Sequence, residues 1–284
     1  MTDKVAVIAG ATRGIGFALV RALALAWRPT DTIYLTARRP TDGEAAVAKL
    51  AVEGIGAGWL PFDLGDPASP SVLAATLRDR HGGVDVAVLN GAYMARAGVP
   101  ASADARPMIE VNNHGTLRFL RAMAPVLNVN GRLVVVASGF GVLESLPETL
   151  RSLFDTTMRG PDAIDRAMDR YVAAVEAGTA DAEGWPSWVN IPSKVGQVAV
   201  TRAFAREYAL DRTARDGVLV NAACPGLTLT DATKSFMDTV FKGRPAQTPD
   251  EAAVDLLWLI DLPPGTKSPY AELVQHRRVL PFGD

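Results

Sequence analysis

A chain of 284 residues, 48% hydrophobic and 21% charged, holds enough apolar material for one large α/β domain and lacks the composition of a disordered polymer. A net charge of −2 without any long basic block excludes a surface that tracks nucleic acid, and no apolar run approaches about 18 residues free of charge, so no membrane partner is expected. The single cysteine, Cys224, excludes an internal disulfide, and His81, His114 and His276 show no ligand spacing, so no metal is expected.

The chain enters a strand almost at once, Lys4 to Ala9, with no leader before it, which predicts a cytoplasmic protein. Gly10-Ala11-Thr12-Arg13-Gly14-Ile15-Gly16 follows, and then an apolar helix from Phe17 to Trp27. A buried strand, a tight glycine turn and a helix bring backbone N–H groups and a helix N-terminus together, an arrangement that suits a phosphate. Gly10 permits the turn, Gly14 lets a pyrophosphate approach, and Gly16 lets helix and strand pack closely.

Further strands are expected at Asp31–Thr36, Gly56–Phe62, Val84–Leu89, Arg132–Ala137, Val218–Ala223 and Ala271–Val274. Helices are expected at Gly43–Val52, Pro67–Arg80, Ala105–Leu127, Thr156–Val175, Pro192–Asp211 and Thr248–Asp261. Strands alternating with helices of this length mean βαβ units: a Rossmann-type doubly wound parallel sheet covered on both faces. The rhythm breaks between residues 140 and 186, a polar, partly helical stretch without a strand. An insertion of that size between regular units is read as a substrate wall or lid on a single domain, 1–284.

Several spaced motifs, covering nearly the whole chain, resemble the short-chain dehydrogenase/reductases. The glycine turn matches that family's cofactor turn, although Ala9 stands where Thr is usual. Asp63-Leu64 after the third strand matches the adenine contact, and Asn90-Gly91-Ala92 is a degraded form of an Asn-Asn-Ala-Gly stretch. Val111-Asn112-x-x-Gly115 matches the helix carrying a structural and catalytic Asn. Ser138 closes the fifth strand where the catalytic Ser lies, Lys194 matches the catalytic Lys, and Pro225-Gly226-x-x-x-Thr230 matches the nicotinamide-side loop. The long insertion and Asn221-Ala-Ala-Cys-Pro-Gly226 resemble the monomeric carbonyl reductases within the family, which implies a monomer.

The resemblance implies a nicotinamide cofactor held by Gly10, Thr12, Arg13, Gly14, Ile15, Gly16, Asp63, Leu64, Asn90, Gly91, Lys194 and the loop Pro225, Gly226, Leu227, Thr228 and Thr230. The residues themselves point to NADP(H): Thr36-Ala37-Arg38-Arg39 ends the second strand without the acid that binds a ribose 2′-hydroxyl, while Arg13 and Arg38 suit a 2′-phosphate.

One position departs from the family. Its proton donor is a Tyr four residues before the Lys, and here that position is Asn190. A carboxamide donates a hydrogen bond but releases no proton near neutral pH, so Asn190 polarises a substrate at most. With Ser138, Lys194 and Asn112 it completes the expected catalytic set. Three readings stay open. The acid comes from water, Lys194 or Tyr93; the substrate needs no acid, as with a conjugated C=C bond, an iminium or a quinone; or the chain binds cofactor without turnover. Tyr93, Ser138, Phe140, Trp185 and Trp188 border the expected substrate space and suggest a bulky, apolar or aromatic small molecule, with Phe140, Trp185 and Trp188 equally readable as core of the lid.

Overall fold

The computed structural model describes residues 3–96, 98–211 and 216–284. Eight strands run in one sheet in the order β3-β2-β1-β4-β5-β6-β7-β8: β1 (Val5–Ala9), β2 (Thr32–Ala37), β3 (Gly58–Pro61), β4 (Val84–Leu89), β5 (Leu127–Val136), β6 (Leu219–Cys224), β7 (Leu273–Gln275) and β8 (Arg278–Leu280). All neighbours are parallel except β7 and β8, an antiparallel edge hairpin that the chain pattern did not announce. Every residue of β1 is buried, as a central strand covered on both faces requires.

Helices α1 (Gly14–Ala26), α2 (Pro40–Val52) and α10 (Pro249–Ile260) cover one face. The other face carries α3 (Ser69–His81), α4 (Ala101–Ile109), α5 (Gly115–Met123), α7 (Pro161–Ala177) and α8 (Asn190–Leu210). Helices α6 (Glu148–Arg151) and α9 (Asp231–Lys234) are short. Among the described residues, no helix is long and apolar enough to cross a membrane.

One expectation is corrected here. The helix read over 105–127 is three pieces: α4, a π-helical turn at Glu110–His114, and α5 followed by a 3-10 turn at Ala124–Val126. The π turn carries buried Asn112 and Asn113, and an extra residue in the ladder there is a feature that recurs at functional sites. The insertion forms α6 and α7, and its apolar side chains Leu146, Phe154, Met168 and Tyr171 join the core on the α8 face. At Gly196 of α8 an added Cβ would sit 2.4 Å from the Met168 sulfur, so a glycine is what lets α7 lie this close.

The strand order reverses on either side of β1, between β1 and β4. In an open α/β sheet that is where a crevice opens at the carboxyl ends of the strands. The ends of β1, β4, β5 and β6 deliver Gly10, Asn90, Ser138 and Pro225 to it.

Candidate active site

The glycine turn is built for close approach. Gly10 has φ +76° and Gly14 φ +58°, and a Cβ on Gly10 would fall 2.4 Å from Gly91 Cα. Asn90 Nδ2 donates to the Gly10 carbonyl at 2.8 Å, and the Gly10 N–H donates to Thr36 Oγ1 at 3.1 Å, so three strand ends are tied around the turn. A Cβ on Gly16 would lie 2.7 Å from both Gly10 O and Asn90 Nδ2, the close helix–strand packing read from the sequence. Asp63 Oδ1 accepts from the Gly65 N–H and fixes the bend after β3, where Leu64 is buried against Gly115.

Arg13, Arg38 and Arg39 are exposed around the start of α2. Arg39 holds Asp42 through two hydrogen bonds of 2.8 and 3.0 Å, and that carboxyl is held below its usual range by Arg39 first and by Arg38 and Arg13 as well. Arg39 binds that carboxylate directly, and Arg38 and Arg13 act on it only through their charge. Sequence reading named Arg13 and Arg38 and missed Arg39. Arg13 also pairs with Asp231 at 3.4 Å, joining the glycine turn to the loop after β6, and Gly14 faces Thr230.

That loop is ordered by Gln247, which sequence reading overlooked. Its side chain donates to the Pro225 carbonyl and, at 3.3 Å, to Thr228 Oγ1, while its backbone bonds Leu227 and Leu229. Gly226 has φ +82°, and Thr230 caps α9 through a reciprocal contact with Thr233.

Lys194 is buried on α8. Its ammonium donates to Gln197 Oε1 at 2.8 Å, Gln197 donates to Thr116 Oγ1 at 3.1 Å, and Thr116 donates to the Asn112 carbonyl at 2.6 Å. Burial pulls the Lys194 pKa down to about 8. Gln197 had no signal in the sequence, because its spacing from Lys194 is what any buried helix face produces. Ser138 accepts from the Phe140 N–H at 3.2 Å, leaving its own hydroxyl proton to give. The loop after it lies tight on α8: a Cβ on Gly141 would sit 2.8 Å from the Lys194 carbonyl.

Asn112 anchors backbone. It accepts from the Tyr93 N–H at 2.7 Å and donates to the Tyr93 carbonyl at 2.9 Å, fixing the chain as it leaves β4. The Tyr93 hydroxyl donates to Asp104 Oδ1 at 2.8 Å, and burial together with Asp104 raises its pKa. A hydroxyl committed to a carboxylate and made less acidic is poorly suited to give its proton to a substrate.

Asn190 opens α8 one turn before Lys194, 4% exposed, and its Oδ1 is buried with no hydrogen-bond partner. Directly before it, Trp188 and Val189 line a cavity of about 330 Å³ together with residues of 95–104 and 235–240, including Arg96, Asp104 and Phe236. Phe140 meets Trp188 edge-on at 5.3 Å and stacks with Phe241 at 6.4 Å, and Trp188 lies 6.1 Å from Phe236. The aromatic wall read from Phe140 and Trp188 therefore gains two rings from the segment after α9. Trp185 does not join it: it is 3% exposed and packs between Phe154 and Tyr171 inside the insertion. The insertion accordingly covers α8 from outside, and the cavity is walled by other segments.

Comparison with known proteins agrees with this architecture. Residues 4–149 match the family model described as short chain dehydrogenase. The chain is 32% identical to carbonyl reductase [NADPH] 3 of Rattus norvegicus, over 98% of both chains. It is 30% identical to carbonyl reductase [NADPH] 1 of Homo sapiens, over 97% of both. Among solved structures, salutaridine reductase from Papaver somniferum superposes with a TM-score of 0.81 at 21% identity, covering 95% of this chain and 99% of that one. With a Rossmann-type sheet, a glycine turn at its switch point and full-length similarity to carbonyl reductases, this chain belongs to the short-chain dehydrogenase/reductase family of oxidoreductases.

Proposed function

We propose that this chain is an NADPH-dependent reductase of a bulky, apolar or aromatic small molecule bearing a carbonyl or a conjugated C=C or C=N bond, working without the phenolic acid of its family. The observation that carries the reading is buried Lys194 beside the Ser138 loop with Asn190, not Tyr, one turn before it.

The residues present fit a phosphorylated dinucleotide. The Gly10–Gly91 approach leaves no side chain where a pyrophosphate would lie, and Arg13, Arg38 and Arg39 offer planar forks for a 2′-phosphate. The relatives named as NADPH enzymes support the same cofactor. When bound, the nicotinamide supplies the hydride. Lys194, bonded to Gln197, would hold the ribose; Ser138 would offer its O–H to the substrate heteroatom; Thr228 and Thr230 would close the nicotinamide side. Asn190 orients the substrate and moves no proton. Losing a general acid costs about 10²- to 10⁴-fold for a substrate that needs one, so the natural substrate is one whose reduction depends weakly on acid here.

Two measurements test this. Dissociation constants should favour NADPH over NADH, and equal binding or tighter NADH would overturn the cofactor assignment. Absorbance of NADPH should fall with members of a panel of ketones, enones, quinones and imines. Silence across that panel, with NADPH tightly bound, would identify a cofactor-binding protein without turnover.

A further inference from the structure

Lys194 is a buried ammonium without a carboxylate beside it, and one side chain holds it. We infer that Gln197 is a positioning residue for the proposed chemistry: its carboxamide aims Lys194, keeps it charged, and anchors it through Thr116 to the π turn that carries Asn112. The inference rests on the reading of Lys194 as the group that holds the ribose of NADPH.

An ammonium taken out of water gives up its charge unless something around it accepts its hydrogens. Lys194 is 8% exposed. Among the described residues, the titratable group that acts on it is the Cys224 thiol of β6, which burial pushes up and so leaves neutral. Asn190, one turn earlier, does not hold it, since its Oδ1 has no partner. Gln197 lies three residues on, on the same face of α8, fully buried, with Oε1 2.8 Å from Nζ.

The chain of bonds has one possible sense. Lys194 offers donors only, so Gln197 turns its oxygen to the ammonium and its NH₂ to Thr116 Oγ1, 3.1 Å away. Thr116 accepts there, and its own proton goes to the Asn112 carbonyl at 2.6 Å. With each proton committed in the same direction, the chain fixes a charge and conducts no proton. The backbone before Lys194 is tied to the same turn separately. Asn112 Nδ2 donates to Ser193 Oγ at 3.3 Å, Ser193 Oγ to Asn113 Oδ1 at 3.2 Å, and Asn113 Nδ2 to the Ser193 carbonyl at 3.0 Å. Those bonds hold the helix; among the described residues, only Gln197 reaches the charged end of the lysine. Burial lowers the Lys194 pKa to about 8, and an acceptor on the ammonium opposes that fall by favouring the charged form. Removing the acceptor therefore lowers the pKa further, and a carboxylate in its place raises it.

The test titrates isotope-labelled lysine in the intact protein by NMR, with the Lys194 signal assigned by its loss in Lys194→Met. In Gln197→Met, which keeps the length of the side chain, the midpoint is expected to fall by about one pH unit, the worth of a hydrogen bond to a charged group. In Gln197→Glu it should rise by at least as much, and in Thr116→Val, which frees only the far end of the amide, it should fall by less. An unmoved midpoint in folded Gln197→Met overturns the inference; should that variant not fold, the absence of a rise in Gln197→Glu does the same. NADPH affinity at neutral pH gives the second readout. Gln197→Met should raise the Kd about tenfold, and by no more than about twofold when Lys194 is already Met. An equal loss in both backgrounds marks Gln197 as packing alone and also overturns the inference. If Lys194→Met leaves NADPH affinity unchanged while Gln197→Met still shifts the midpoint, the ribose role of Lys194 fails and the hold of Gln197 on the ammonium stands.

Discussion

At the scale of single residues, the proposed chemistry turns on Asn190, the position where the expected Tyr is missing. Lys194 is desolvated to a pKa of about 8, Ser138 has a hydroxyl proton to give, and Asn112 locks the chain leaving β4. Asn190→Tyr therefore places a phenol one turn before a buried ammonium, where a cation lowers its pKa and makes it a usable acid. The expected outcome is a gain toward simple aryl ketones of about 10²-fold, the lower end of a general-acid contribution. NADPH oxidation by wild type and variant on acetophenone checks it. A folded variant that binds NADPH without any gain on ketones would mean the cleft has lost its fit for carbonyl reduction. Asn190 was legible as a departure from a four-residue spacing. The orphaned oxygen was not, since satisfaction of a carboxamide depends on neighbours that sequence does not order.

Single elements carry a different lesson. Strand positions were readable because central parallel strands are continuous apolar runs, and β4 matches its expected limits, Val84–Leu89. The π turn at Glu110–His114 was not readable: one added residue in a helix ladder barely disturbs the apolar period over so short a stretch. Its last residue, His114, clasps the insertion, with Nδ1 2.7 Å from Asp165 and Nε2 3.1 Å from Asp169, both on α7. The hydrogen bond to Asp165 is the largest cause raising the His114 pKa, opposed by burial and aided by the charges of Asp165, Asp169 and Glu110. A histidine whose folded pKa is raised gives stability that is complete below its ordinary value of 6.5 and is lost as pH rises through the raised value. Wild type should thus lose about 1 kcal/mol relative to His114→Leu as pH rises through that window. Denaturant unfolding of both proteins on either side of it checks this, and parallel pH profiles would show that the pair contributes nothing. The same clasp ties the turn carrying Asn112 to the insertion, so hydrogen exchange in α7 should rise over the same window.

Across the whole molecule, the parallel sheet covered on both faces was readable from alternating strands and helices, and the strand order came with the fold. The closing of the chain on itself was not readable. Arg202 on α8, nearly buried, bonds Glu272 at 2.6 Å and Asp284 at 2.8 Å, and Asp284 also accepts from Thr156 in the insertion. Residues 156, 202 and 284 have no pattern in sequence that links them; only the folded topology does. This cluster bears on assembly. The resemblance to monomeric carbonyl reductases rests on an insertion covering the long helix through which most of the family associates. Here α7 packs along α8 and α4, and within one chain Val200, Thr201, Phe204 and Gln197 of α8 are already at most 6% exposed. Asp284 ties the insertion to α8 through Thr156 and Arg202. A standard interface needs about 800 Å² from each partner, and α7 already occupies part of the α8 surface that would supply it. The protein is therefore expected to be a monomer at micromolar concentration by light scattering, and a stable dimer would overturn this. Asp284→Ala leaves the buried Arg202 guanidinium with one carboxylate fewer, a change of about 3 kcal/mol when a buried pair is broken from one side. If the insertion is what keeps α8 from a partner, that variant should unfold more easily and be the first form of the chain in which a concentration-dependent rise in mass is seen.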